Sequence, residues 1–314
     1  MGEGDDPRSA FEVWAKKPLN FNPGTRWQYS NTNDVLAGKI FEKASGHELM
    51  PYLKQHIFDP LGMKSAGSCN VKGTADATAY TRFALGPARP ALQEGPGWYF
   101  ATGELCMTPS DLARWDAAFL DKQILSKKSY EEFTREVRLK SGAPTHYALG
   151  LRLGEMKATP MLGHSGEVSG FLAMNTVFPE KQLGIAALSN EDNVGLVGAV
   201  TQQIASELLA LQDKKLKRDG EVRAILEDLQ RGRIDRGRFT VHANAYFVSA
   251  ALEDYRTSLA PLGKLVALTR QNEQACGGMT HLTYRAHFER NTVALNIYVT
   301  ANGKFEQFLV QEVF

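Results

Sequence analysis

Four short apolar runs, at residues 147–153, 161–165, 171–178 and 183–189, limit the fold of this chain more than any other feature. Glycine, proline and charge break them apart, a pattern that reads as a meander of antiparallel strands. A helix over about residues 194–211 closes the unit. Next comes Lys214-Lys215-Leu216-Lys217-Arg218-Asp219-Gly220. A block of like charge is usually solvated, so this reads as a linker that divides the chain into residues 1–213 and 214–314. Beyond it Val222, Ile225, Leu226 and Leu229 make an apolar helical stripe, and a second helix is expected over 245–259. Four strand candidates follow. In one, Leu282, Tyr284, Ala286 and Phe288 alternate with Thr283, Arg285, His287 and Glu289; in another, Val293, Leu295, Ile297 and Val299 hold every second place. That is a sheet with one wet face and one face covered by helices. The fold class is α+β in both parts.

Composition removes several functions. The 314 residues suit about two domains, and 43% apolar residues suffice for a packed core. A net charge of +1 creates no bulk field toward nucleic acid or an anionic membrane. No apolar run approaches the roughly 18 residues of a transmembrane helix. Met1-Gly2-Glu3-Gly4-Asp5-Asp6-Pro7 does not read as a signal peptide. Cys69, Cys106 and Cys276 lie far apart, with no metal spacing and no disulfide framework; a single bridge stays open.

The first part is helical. Residues 9–17 make a short helix candidate with Phe11 and Trp14 on one side. Leu36, Ala37, Ile40, Phe41 and Ala44 form an apolar stripe that Gly46 ends, and Leu49, Leu53 and Ile57 form the next. Residues 64–100 are irregular. Thr108-Pro109-Ser110-Asp111 is a helix start, with Thr108 as cap, Pro109 at the first helical position and Asp111 as the acid of a capping box. A further helix is expected over 129–137.

Two stretches carry side chains suited to chemistry. In Trp27-Gln28-Tyr29-Ser30-Asn31, Tyr29 and Asn31 are two apart and can face one cleft at a helix entrance. A phenol there can move a proton and an amide can hold a carbonyl; the alternative is a helix cap. In Gly163-His164-Ser165-Gly166-Glu167-Val168-Ser169-Gly170, glycines interrupt a strand. They let a ligand backbone approach and add as a strand; the alternative is a bulge and turn.

Together with Gly103 and Asp111-Leu112-Ala113, these stretches resemble the serine β-lactamase and penicillin-binding protein superfamily. The resemblance is to its class C β-lactamase, D-alanyl-D-alanine carboxypeptidase and esterase branch. Pro23-Gly24-Thr25 through Tyr29-Ser30-Asn31 matches that branch's Tyr-x-Asn motif, and His164-Ser165-Gly166 stands where members carry Lys-Thr-Gly. The resemblance spans roughly residues 8–211. It implies a serine acyl-transfer enzyme, without cofactor or metal, acting on an ester, amide, D-amino-acid peptide or β-lactam. Tyr29 and His164 would be catalytic; Asn31, Ser165 and Gly166 would contact substrate. The partner is then a small molecule or peptide, and the location periplasmic or secreted. The second domain loosely resembles NTF2-like modules by element order alone, and its expected role is accessory.

One part of the pattern is absent. The family's nucleophile lies in S-x-x-K, and no serine here has lysine three residues later; Ser126-Lys127-Lys128-Ser129 comes nearest. Only 28 residues precede Tyr29, which suggests a fragment or a downstream start. An unperturbed tyrosine is only about 0.1% ionised at pH 7. The chain alone is therefore expected to have little or no hydrolase activity, and the alternative function is a non-catalytic protein binding a peptide-like ligand. Neither Ser30 nor Ser165 has a base placed by sequence, and Cys106 reads as a buried structural thiol. His281 and His287 fall on the wet face of a strand. Without further strands, residues 183–188 are expected to leave an open apolar edge.

Overall fold

The computed structural model describes residues 16–69, 77–95, 97–192 and 195–313. The helix candidate at 9–17 lies almost wholly outside them. Two compact units meet between Leu209 and Ala210.

In the first unit, helix α1 spans Asn31–Ser45. Gly46 ends it in the left-handed region (φ 72°), where its N–H reaches the Glu42 carbonyl at 3.0 Å. The expected apolar stripe is not the face that packs. Val35 and Gly38 are buried, whereas Leu36 and Ile40 are 38% and 58% exposed. The cause is a close approach to helix α3 (Phe100–Gly103): a Cβ on Gly38 would lie 2.4 Å from Ala101 Cβ. Helix α2 (Leu49–Leu53) runs on as one wide turn, Lys54–Phe58.

Cys69 and Cys106 are bridged, with Cα atoms 5.1 Å apart. They stand beside a two-residue ladder that pairs Gly67 with Cys106. Cys106 is therefore half of a disulfide and not a free buried thiol. Helix α4 (Pro109–Leu120) starts as expected, with Thr108 Oγ1 accepting from the Asp111 N–H at 3.3 Å. Asp111 does not close the capping box. Its carboxylate takes the N–H and hydroxyl of Ser65 and the guanidinium of Arg114, and Ser65 Oγ accepts from the Thr108 N–H in its place. Helix α5 is Lys127–Thr134.

The meander forms as read. Strands β1 (Arg152–Met156), β2 (Thr159–Val168), β3 (Phe171–Phe178) and β4 (Leu183–Ser189) pair antiparallel in that order. β1 starts later than expected because His146 (φ 53°) and Gly150 (φ 76°) turn the preceding segment back on itself. One sheet face packs Phe119, Tyr130 and Val177 together; the other joins Phe178 and Ile185 to Ala205 and Leu209. Among the described residues β4 is an edge strand, and Leu188 on it is 37% exposed.

The charged segment at 214–220 is not a break in the backbone. Helix α6 runs unbroken over Leu196–Gln230. Lysine, leucine and arginine are good helix formers, and charges in water need no loop to hold them. In the second unit, Val222, Ile225, Leu226 and Leu229 of α6 are buried as expected. The helix expected over 245–259 is two, α7 (Val241–Tyr246) and α8 (Ser249–Leu259). Between them Phe247 is turned into the core, and Arg236 bonds its carbonyl at 2.7 Å. Strands β5 (Leu265–Cys276), β6 (Met279–Phe288), β7 (Thr292–Thr300) and β8 (Phe305–Glu312) form a second meander. Leu282 pairs with Ile297 and Tyr284 with Leu295, on the buried face. His281 and His287 lie off that face, where His281 stacks on Tyr298 at 4.5 Å and His287 bonds Thr292 at 2.9 Å.

Candidate active site

Ser30 has extended backbone (φ −154°) and α1 begins at Asn31, so Ser30 holds the cap position, yet its side chain makes no capping hydrogen bond. The stretch is therefore a helix entrance without the side-chain cap that would explain its polar residues. Tyr29 leans toward β2: its ring centroid is 5.6 Å from that of His164 and 6.4 Å from that of Tyr147. Trp27 packs on the other side of Tyr147 at 5.1 Å. Three aromatic rings and an imidazole thus line one surface. Tyr29 and His164 are together, as the sequence suggested. Asn31, Ser165 and Gly166 stay exposed, Asn31 at the helix start and the other two on the strand after His164.

His164 is held at both ring nitrogens. Nδ1 lies 2.6 Å from the Ser165 carbonyl oxygen, and Nε2 lies 2.9 Å from the Tyr147 hydroxyl. A carbonyl only accepts, so Nδ1 carries a proton, and in the neutral ring Nε2 accepts from the phenol. Tyr147 was read from sequence only as the start of a strand. The turn at His146 and Gly150 brings it here, and no local pattern signals that.

The strand itself is open. β1 pairs with β2 only from Thr159 to Gly163. Among the described residues no strand continues that pairing along His164–Val168. Gly163 marks the transition: a Cβ there would sit 2.3 Å from the Asn175 carbonyl oxygen, so the close approach of β3 admits only glycine.

The sequence profile of the Beta-lactamase family matches residues 2–208. The chain belongs to that family. Among curated relatives, PbpX, a penicillin-binding protein of Bacillus subtilis (strain 168), is 28% identical over 185 residues, 58% of this chain and 44% of its own length. The D-aminopeptidase of Gluconobacter oxydans (strain 621H) is 24% identical over 194 residues, 61% of this chain and 36% of its own. The chain therefore spans less than half the length of these relatives. Among solved structures, a D-stereospecific amidohydrolase from Streptomyces sp. has a TM-score of 0.52 at 25% identity, covering 59% of this chain and 56% of that one. A penicillin-binding protein homologue from Pyrococcus abyssi has a TM-score of 0.56 at 20% identity, covering 97% and 69%, a likeness of fold.

In this β-lactamase family member, electrostatics act against an ionised Tyr29. Burial raises its pKa, and the Asp34 carboxylate, which its hydroxyl bonds, raises it further; Arg152 opposes them. Asp34 is itself raised by burial, with His164 opposing. Burial and then Tyr29 and Asp34 raise Tyr147. The phenols are proton donors as they stand. Asp34 was missed because an acid in a first helical turn reads as a dipole partner.

Proposed function

We propose that this surface belongs to an acyl-transfer site of a serine hydrolase acting on an ester, amide, D-amino-acid peptide or β-lactam. The observation that carries the reading is the meeting of Tyr29 with His164 beside the unpaired length of β2. A substrate backbone laid along His164–Val168 would gain strand hydrogen bonds. Asn31 and Ser165 would hold its polar groups, Gly166 would leave room for it, and Tyr29 and His164 would handle protons. Relatives named for D-aminopeptidase and D-stereospecific amidohydrolase activity favour a D-amino-acid amide or peptide.

No serine of these 314 residues begins S-x-x-K, so on this reading they do not supply the nucleophile. Tyr29 also lacks the lysine that would draw its proton away. We therefore read the chain by itself as inactive, which also supports a second reading, a non-catalytic protein that holds a peptide-like ligand on the same strand. We place it in the cell envelope or outside the cell, in keeping with the Cys69–Cys106 bridge. Residues 214–314 are read as an accessory module with an NTF2-like order of elements.

The test has two arms. The 314-residue chain is assayed with nitrocefin, p-nitrophenyl esters and a D-alanyl p-nitroanilide; no turnover is expected, and efficient turnover through a serine adduct would overturn the inactive reading. The product of the complete gene is treated with a fluorophosphonate probe. Labelling of a serine followed by x-x-Lys supports the hydrolase, and no labelling together with peptide binding supports the second reading.

A further inference from the structure

One strand over from the aromatic surface, Asp116 of α4 is 2% exposed. It faces Asn175 of β3, whose Nδ2 donates to Asp116 Oδ1 at 2.7 Å. The other oxygen of each side chain, Asp116 Oδ2 and Asn175 Oδ1, is buried and has no hydrogen-bond partner among the described residues. Two orphan acceptors on one pair of side chains are uncommon, because each costs free energy when buried without a donor.

Three occupants could satisfy them. A water or a metal cation needs access to both oxygens; Asp116 lines an open cleft with Leu183 and Gly184, yet neither oxygen is itself reached by solvent. The backbone of β4 also presses on the carboxylate: a Cβ on Gly184 would lie 2.9 Å from Asp116 Oδ2. A proton needs no room. A carboxylic acid and a carboxamide have matching planar edges, each with one donor and one acceptor. With Nδ2 bonded to Oδ1 in that edge-to-edge arrangement, a single proton would join the remaining two oxygens.

We propose that Asp116 is a neutral acid that donates from Oδ2 to Asn175 Oδ1, closing a two-bond acid–amide pair that locks α4 to β3. Charge around the pair agrees. Strands β3 and β4 carry no ionisable side chain, Glu180 and Lys181 stand in the turn between them, α4 carries Asp111 and Arg114 as an ion pair near its start with Asp121 just past its end, and β2 brings His164 across from Asn175. Burial, opposed only by the Asn175 hydrogen bond, pushes Asp116 up to about 6. The lock lies close to the candidate site, since Asn175 is the residue paired across from His164. When the carboxyl ionises, the proton that makes the second bond is gone and both oxygens are acceptors without a donor. The device holds in acid and loosens toward alkaline pH. The sign follows from the raised folded pKa. The stabilisation is fully present below the ordinary aspartate value of 3.8 and is lost as pH rises through about 6.

The full chain, labelled with 13C at aspartate, reports the Asp116 carboxyl directly by NMR. The expected result is a protonated carboxyl at pH 5 that ionises with a midpoint near 6. An Asp116 already ionised at pH 5 would overturn the proposal. Denaturation of Asp116→Asn gives the second readout, because the introduced amide can donate from the same place and carries no titration. The gap between its unfolding midpoint and that of the wild type should be near zero in acid and open in the variant's favour from pH 5 to pH 8; a gap that stays constant over that range would overturn the proposal. The NMR arm needs no variant, and neither arm uses turnover, so the result is independent of the acyl-transfer reading.

Discussion

The two units each contain a four-stranded antiparallel meander, and they use it differently. In the second unit, β7 alternates half-buried and buried residues without interruption. Leu282, Tyr284, Leu295 and Ile297 join Val222, Leu226 and Phe239 in one continuous core. In the first unit, β2 abandons alternation: after Thr159 no residue is buried, and its glycines stand on either side of His164. Its sheet packs into two small clusters, and Ile40 and Leu188 stay partly exposed. A strand that keeps its period makes a core, and one that breaks its period next to glycine leaves backbone for a ligand. Local rules fail at the candidate site, which is where such failures are expected.

Leucine truncations are the hardest test of this contrast. Leu295→Ala removes a fully buried side chain and should cost about 3 kcal/mol, whereas Leu188→Ala at the exposed edge should cost under about 0.5 kcal/mol. Urea denaturation followed in each unit checks this, and equal losses would break the comparison. Replacing Cys69 and Cys106 together by serine should be comparable in size, lowering stability by about 3 to 4 kcal/mol through the 37-residue separation it releases. That loss should fall on the first unit alone, which limited proteolysis can follow.

Gly163→Ala drives a methyl group against the Asn175 carbonyl and should cost about 2 kcal/mol. Amide exchange should rise along β2 and β3 and stay unchanged in β5 to β8. Tyr147→Phe should be smaller, about 1 kcal/mol for one hydrogen bond. Its signature is local, since 15N NMR should show His164 Nε2 released from a donor while Nδ1 keeps its proton. An unchanged Nε2 resonance would remove Tyr147 from the site. The smallest effect is on pH dependence. Because burial and Asp34 raise Tyr29, its contribution to stability is fully present below the ordinary value near 10 and lost as pH rises through the higher folded value. Phenolate absorbance of the wild type minus Tyr29→Phe should show a titration above that ordinary value, and ionisation below it would contradict the donor role.

Much of this was legible in the residues. The meander at 152–189, the capped start at Thr108, the stop at Gly46 and the buried stripe at Val222 to Leu229 follow from periodicity and from residues with one conformational use. So does the family, carried by Tyr29-Ser30-Asn31 and His164-Ser165-Gly166. These signals are local, because each depends on neighbours within a turn or a strand. The tertiary structure alone decided the rest. Which face of α1 packs was set by a close approach at Gly38. The charged block at 214–220 kept its helix because solvated charge does not oppose backbone hydrogen bonds. The bridge between Cys69 and Cys106, the meeting of Tyr147 with His164 and the pairing of Asp116 with Asn175 join residues 37, 17 and 59 positions apart. Contacts at such separations leave no period in the sequence, since what fixes them is the distance between elements after packing.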